Sequence, residues 1–217
     1  MVPYKPERPS PEETTQRARA FREHLDGRRS VRMFSQDPVP RETIEEILEA
    51  AGTAPSGAHK QPWTFVAIED PALKAQLREA AEEQERRFYD ELAPDDWLED
   101  LAPLGTDWEK THLTDAPWVI VVFAQDYAMG EDGERAGKHY YVNESVGIAC
   151  GFLLCAIRQA GLSALTHTPS PMKFLQEVLA RPKNERAYLV VPVGYPAEDA
   201  QVPDLDRKAL DDFVVWR

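Results

Sequence analysis

Three arginines, Arg28, Arg29 and Arg32, stand within five residues of one another with Ser30 among them. Guanidinium forks and a hydroxyl together match the oxygens of a phosphate group. The same residues also suit surface salt bridges to the many carboxylates of the chain, and the cluster alone leaves both readings open. A second segment, Gly52-Thr53-Ala54-Pro55-Ser56-Gly57-Ala58, is built of small residues. Such a loop lets a ligand approach the backbone closely, with amides free to donate to a polar ring, or it simply links two elements. Neither GxGxxG nor GxxxxGK[ST] occurs, so no dinucleotide fingerprint or P-loop is indicated. The five histidines lack metal-ligand spacing, with no HExxH and no CxxC, and no metal site is expected. Ser56 has no triad context.

The elements that must position these residues alternate along the chain. Ser10-Pro11-Glu12-Glu13 starts a helix as cap, first-turn proline and capping box, and Gly27 stops it. A second helix runs from about 40 to 51, with Ile44, Ile47 and Leu48 as its buried stripe. Residues 63–68 alternate as a strand. Asp70-Pro71 opens a charged helix to about 92, where Glu85 and Tyr89 share a face. Residues 93–116 read as irregular or partly helical. Residues 119–123 read as a buried strand, 138–160 as a long apolar helix and 163–167 as a short strand. A helix follows from Ser170-Pro171, and 188–193 is a strand. Helices alternating with single strands predict a three-layer α/β/α domain.

The 217 residues suit one domain with a sizeable core. A net charge of −13 opposes nucleic acid and anionic membranes as partners. No apolar run approaches a membrane span, and the first residues resemble neither a signal peptide nor an anchor. Cys150 and Cys155 lie five apart on one helix and point in different directions, which argues against a disulfide and fits a reducing compartment. A soluble, cytoplasmic protein is expected. Residues 1–9 are expected to form a flexible arm and 10–217 a single domain.

Read together, Arg28-Arg29-Ser30-Val31-Arg32, Ala54-Pro55-Ser56 and Gln61-Pro62-Trp63-Thr64-Phe65 resemble the N-terminal signature of the FMN-dependent nitroreductase superfamily. Pro182, Glu185 and Pro192-Val193-Gly194-Tyr195-Pro196 resemble its C-terminal signature. Residues 52–65, with His59, and the stretch from Tyr195 to Leu205 are similar to its iodotyrosine deiodinase branch. The resemblance spans roughly residues 20–217.

It implies an α+β fold with a mixed, mainly antiparallel sheet flanked by helices, and a domain-embracing homodimer with a C-terminal tail at about 196–217. It implies bound FMN, contacted by Arg28, Arg29, Ser30, Arg32, Pro55, Ser56, Gly57, Thr166, His167, Thr168 and Arg207. Thr168 would offer its hydroxyl to flavin N5. The Ala58 amide would meet the phenolate of the substrate, favouring the ionised phenol. A lid at about 82–112 would carry Glu85 to the substrate ammonium and Lys110 to its carboxylate, with Tyr89 as a polar helper. His167 stands where animal members tend to carry Thr, and its role is open. The activity implied is FMN-dependent reductive dehalogenation of halogenated tyrosine through one-electron steps. Electrons would come from a separate flavin reductase or NAD(P)H. The alternatives are a general NAD(P)H-dependent nitro or quinone reductase of the same fold, or a non-catalytic flavin- or amino-acid-binding protein.

Overall fold

The computed structural model describes residues 1–217, apart from the side chains of Leu92, Asp95 and Ala102. Its framework is a four-stranded sheet in the order β1 (Trp63–Ile68), β2 (Trp118–Gln125), β6 (Glu185–Gly194) and β5 (Ser163–Ala164). Each of these pairings is antiparallel. β2 is apolar on both faces because it is covered on both. Ile120, Val122 and Ala124 face a core shared with α2 (Arg41–Gly52) and α6 (Val142–Gln159). Val119, Val121 and Phe123 face a second core with α3 (Pro71–Arg87) and α7 (Lys173–Val178). This is the three-layer arrangement expected from the alternation of elements. A parallel bridge from Ser30 to Ala164 adds the mixed character at the β5 edge.

Helix α1 (Pro11–Asp26) starts as its sequence dictates, with Ser10 Oγ accepting from the Glu13 amide at 3.2 Å. It buries no residue. α3 ends at Arg87, earlier than the helical pattern suggests. One π turn over Phe88–Leu92 follows, and Pro94 blocks further helix. The segment beyond holds α4 (Asp95–Leu101) and α5 (His112–Asp115). A hairpin of β3 (Tyr127–Met129) and β4 (Arg135–Lys138) was not expected from sequence; its strands are short, only partly buried or exposed, and outside the main sheet. It takes up residues 135–138, so α6 begins at Val142 instead of 138, after Tyr141 in a left-handed conformation (φ 49°). α7 begins at Lys173 instead of 170, after a bend over 170–171. Among the described residues, no helix is long and apolar enough to cross a membrane.

Candidate active site

The arginine segment is held by backbone pairing at both ends. The Val31 amide donates to Ala164 O at 3.2 Å, and the Ser35 amide donates to Tyr195 O at 2.9 Å. Val31 and Phe34 are buried with Ala116 and the partly buried Val202, which turns the neighbouring arginines outward. Arg28, Arg29, Ser30, Arg32, Pro203 and Arg207 border a cavity of about 300 Å³. Arg29 donates to Pro203 O. Arg207 pairs with Asp26 Oδ1 at 3.0 Å and donates to Arg28 O at 2.9 Å, so its charge is already partly engaged. Among the described residues, Arg28, Arg29 and Arg32 have no carboxylate within salt-bridge distance. The surface-salt-bridge alternative therefore does not describe them. Burial lowers the Arg32 pKa, partly offset by the nearby Tyr89. A clustered, uncompensated set of guanidiniums with a serine beside it fits a phosphate group.

The same parallel bridge runs this segment alongside the chain that leads to Thr166, His167 and Thr168. Successive side chains alternate there: both threonines are exposed and His167 is buried. His167 is fixed by a two-way backbone bridge to Val190, with N···O distances of 2.8 and 2.9 Å. Its side chain thus turns away from the face that the two threonines share.

It turns toward the segment that runs from the end of α3 to α5. Glu85, near the end of α3, places Oε2 2.6 Å from Lys110 Nζ and Oε1 2.9 Å from His167 Nε2. His112 Nε2 lies 3.5 Å from His167 Nδ1, and the two rings meet edge to face at 88°. All four residues are buried, at 8% exposure for Glu85, 2% for Lys110, 4% for His112 and 8% for His167. Lys110 also donates to Asp107 O, and its amide donates to Glu82 Oε1 at 2.8 Å. Glu82 in turn pairs with Arg78 at 2.6 Å. Burial pushes the Glu85 carboxyl up, but hydrogen bonds from His167 and Lys110 and the charge of Lys110 outweigh it. The net shift is downward, so Glu85 is ionised. Burial among His167, Lys110, Arg32 and Arg78 drives His112 down to about 3, so it stays neutral.

Tyr89 follows on the same side as Glu85. Burial raises its phenol pKa, and a hydrogen bond with Thr106 opposes that shift. Its ring packs edge to face on Trp97 at 5.7 Å, and Lys110 Nζ lies 5.6 Å from its centroid. Phe88 packs on Trp97 at 4.9 Å, and Arg86 stacks over Trp108 at 4.0 Å. Phe88, Tyr89 and Trp97 therefore form a small aromatic cluster, of which Tyr89 approaches Lys110.

The small-residue loop lies elsewhere. Gly57 donates its amide to Ser145 Oγ at 3.2 Å, which anchors the loop to the head of α6. A Cβ on Gly57 would lie 2.5 Å from Tyr140 O, so only glycine permits this approach. Ala58, His59 and Gln61 all have positive φ, at 50°, 54° and 48°. Three non-glycine residues in that region mark a backbone held in shape by its surroundings. Ser56 Oγ accepts from the Gln61 amide at 2.9 Å, while Pro55 and Ala58 are exposed. Among the described residues, no hydrogen bond or salt bridge joins this loop to the arginine cavity or to Glu85.

Beside the loop, α6 presents Ile148 and Phe152 to solvent, each 42% exposed and one helical turn apart. The C-terminal residues Phe213, Val215 and Trp216 are also exposed, at 65% to 79%. Of the site residues expected from sequence, one chain brings Glu85, Lys110 and His167 into contact, with Tyr89 beside them. It gathers Arg28, Arg29, Ser30, Arg32 and Arg207 about one cavity, and leaves Pro55–Ala58 apart. His112 and Glu82 were missed. His112 carries no local signal, because its partner lies 55 residues away; Glu82 has a local i,i+4 partner in Arg78, but its contact with the Lys110 amide spans 28 residues.

Residues 25–195 match the nitroreductase family. An iodotyrosine deiodinase from Haliscomenobacter hydrossis is 57% identical over 208 residues, covering 96% of this chain and 93% of that protein. An iodotyrosine deiodinase from Hydra vulgaris is 46% identical over 216 residues, covering 99% of this chain and 79% of that protein. The crystal structure of an oxidized iodotyrosine deiodinase bound to FMN and 3-iodo-L-tyrosine superimposes with a TM-score of 0.76 at 28% identity. It covers 90% of this chain and all of that one.

Proposed function

This chain belongs to the nitroreductase family, and within it we propose an FMN-dependent reductive dehalogenase acting on halogenated tyrosines. The observation that carries the reading is the buried Glu85–Lys110 pair. An amino-acid zwitterion needs one group of each sign, and the lid segment holds just these two. The substrate ammonium takes Glu85 and its carboxylate takes Lys110. Both protein charges then remain matched, so exchanging one internal ion pair for two new ones leaves no buried charge alone. Tyr89 and its aromatic neighbours close over the exchange and keep water out, which strengthens every polar contact inside.

Arg28, Arg29, Ser30 and Arg32 hold the FMN phosphate, with Arg207 supporting them through Arg28 O. Pro55, Ser56, Gly57 and Thr166 contribute to flavin binding. Thr168, exposed four residues beyond β5, offers a hydroxyl toward flavin N5. The Ala58 amide stabilises the substrate phenolate. Bound FMN supplies the two electrons with which 3-iodotyrosine and one proton become tyrosine and iodide, in one-electron steps. The electrons reach it from NAD(P)H or a separate flavin reductase, and the protein acts in the cytoplasm.

A second copy of the chain completes the site. The Ala58 loop and the arginine cavity are unconnected in one chain, while the loop adjoins the exposed Ile148–Phe152 face of α6. A homodimer built on that face, with the tail from about 196 reaching across, brings the loop of one protomer to the arginines of its partner.

The test is anaerobic. The FMN-loaded protein is reduced with dithionite, 3-iodotyrosine is added, and tyrosine is measured, with Glu85→Gln and flavin-free controls. Rapid tyrosine formation that collapses in Glu85→Gln is the expected result. Reducible FMN without tyrosine formation refutes the reading and leaves the general nitro or quinone reductase.

A further inference from the structure

His167 has no counterpart in the zwitterion clamp, yet it makes one of the two close contacts to the clamp's carboxylate. Its backbone is fixed by both hydrogen bonds to Val190, so the ring is carried by a part of the fold separate from the helix that bears Glu85. Thr168 is the next residue along the same segment. We propose that His167 is a positioning residue for substrate recognition: its Nε2–H donates to Glu85 Oε1 and docks that carboxylate on the segment that carries Thr168. Oε2 is thereby left for a cation, which is Lys110 in the free chain and the substrate ammonium in the complex. The proposal rests on the halotyrosine reading above and deepens it.

The arrangement around the ring fits this direction of donation. With the proton on Nε2, Nδ1 is an acceptor, and it faces His112 Nε2 at 3.5 Å. His112 is held neutral, so it can donate there without adding a second positive charge. Glu85 is ionised, and an ionised acceptor makes the stronger bond. Without that bond the carboxylate keeps one buried oxygen unpartnered and loses its aim. Ligands that use Glu85 should therefore suffer, and ligands that do not should not.

The test pairs two variants with two ligands. In His167→Gln the side-chain amide nitrogen can take the place of Nε2. In His167→Asn the amide has similar polarity but is too short to reach Glu85. Binding of 3-iodo-L-tyrosine and of 2-iodophenol, which carries neither ammonium nor carboxylate and so leaves the Glu85–Lys110 pair in place, is measured by calorimetry on FMN-loaded protein. His167→Asn is expected to weaken iodotyrosine binding about tenfold or more, the scale of a hydrogen bond to a charged group. His167→Gln should stay within about threefold of the unaltered chain, and neither variant should move 2-iodophenol by more than about twofold. Equal behaviour of Asn and Gln, or an equal loss for both ligands, overturns the proposal. A chain that binds neither ligand, or both equally well, refutes the halotyrosine clamp itself. Ring ¹⁵N spectra of the unaltered protein supply a readout that needs no variant: an Nδ1–H tautomer at His167 overturns the donation directly.

Discussion

Acidification should unfold this protein through His112 sooner than its carboxylates alone would require. The ring is 4% exposed, packed edge-on against His167 and surrounded by Lys110, Arg32 and Arg78. Burial and these positive neighbours hold it down to about 3, against 6.5 for a free imidazole. The unfolded chain therefore binds this proton more readily than the folded one between those two values. Stability rises with pH across that window and falls on acidification. One group at about 1.36 kcal/mol per pH unit, over the interval from 6.5 to 5, costs about 2 kcal/mol. For a chain of this size that is a fall in Tm of roughly 4–8 °C. The assay is thermal unfolding at pH 7.5 and pH 5.0, at fixed protein concentration and FMN content, of the unaltered chain and His112→Gln. Other titrating groups are common to both proteins and cancel in the comparison. The expected result is a drop about 2 kcal/mol larger in the unaltered chain. Parallel drops would show that His112 takes up its proton without penalty, and would refute the argument.

Two further outcomes follow from the loop and from α6. Gly57→Ala drives a Cβ into the Tyr140 carbonyl at 2.5 Å, a backbone atom with no rotamer to escape into. It should cost about 1–3 kcal/mol in thermal unfolding and lower kcat/KM for iodotyrosine at least about tenfold. Gly52→Ala, with nothing within 4 Å, should change neither. Phe152→Asp puts a charge on the exposed apolar face of α6. The variant should elute as a monomer in size-exclusion chromatography with light scattering, and should lose FMN on dilution. A dimer that keeps its flavin would show that the interface lies elsewhere.

Much of the fold was readable because the periodicities are strong and local. β2 is a continuous apolar run buried on both faces, and α2 carries its stripe at Ile44 and Ile47. Pro11 and Pro71 stand at helix starts in the structure as in the sequence pattern. The β3–β4 hairpin left no such trace. Its strands are three and four residues long, none of their residues is fully buried, and they carry no alternation to detect. Its omission also misplaced the start of α6. The end of α3 was overrun for a different reason: helix-forming residues continue to Leu92, and the change to a π turn is a tertiary outcome.

The site divides along the same line. The arginine cluster was visible as a cluster, but its alternative partners could be dismissed only once the charges were placed in space. Thr166, His167 and Thr168 looked like one unit on paper. Strand alternation separates them, with the threonines on one face and His167 buried toward Glu85, 82 residues away.

If Glu85 and Lys110 grip the substrate as proposed, that contact also sets how the segment discriminates. In the free chain Glu85 and Lys110 satisfy each other, so a closed segment is compatible with an empty site. A zwitterion can replace the pair because it brings both partners. A ligand with a carboxylate alone draws Lys110 away and leaves Glu85 with His167 only. A ligand with an ammonium alone leaves Lys110 buried beside Asp107 O with no carboxylate. Breaking a buried pair by removing one partner costs about 3–5 kcal/mol, less whatever the lid recovers by staying open to water. Selectivity for amino acids then arises from what a singly charged ligand leaves unpaired, more than from what the zwitterion gains.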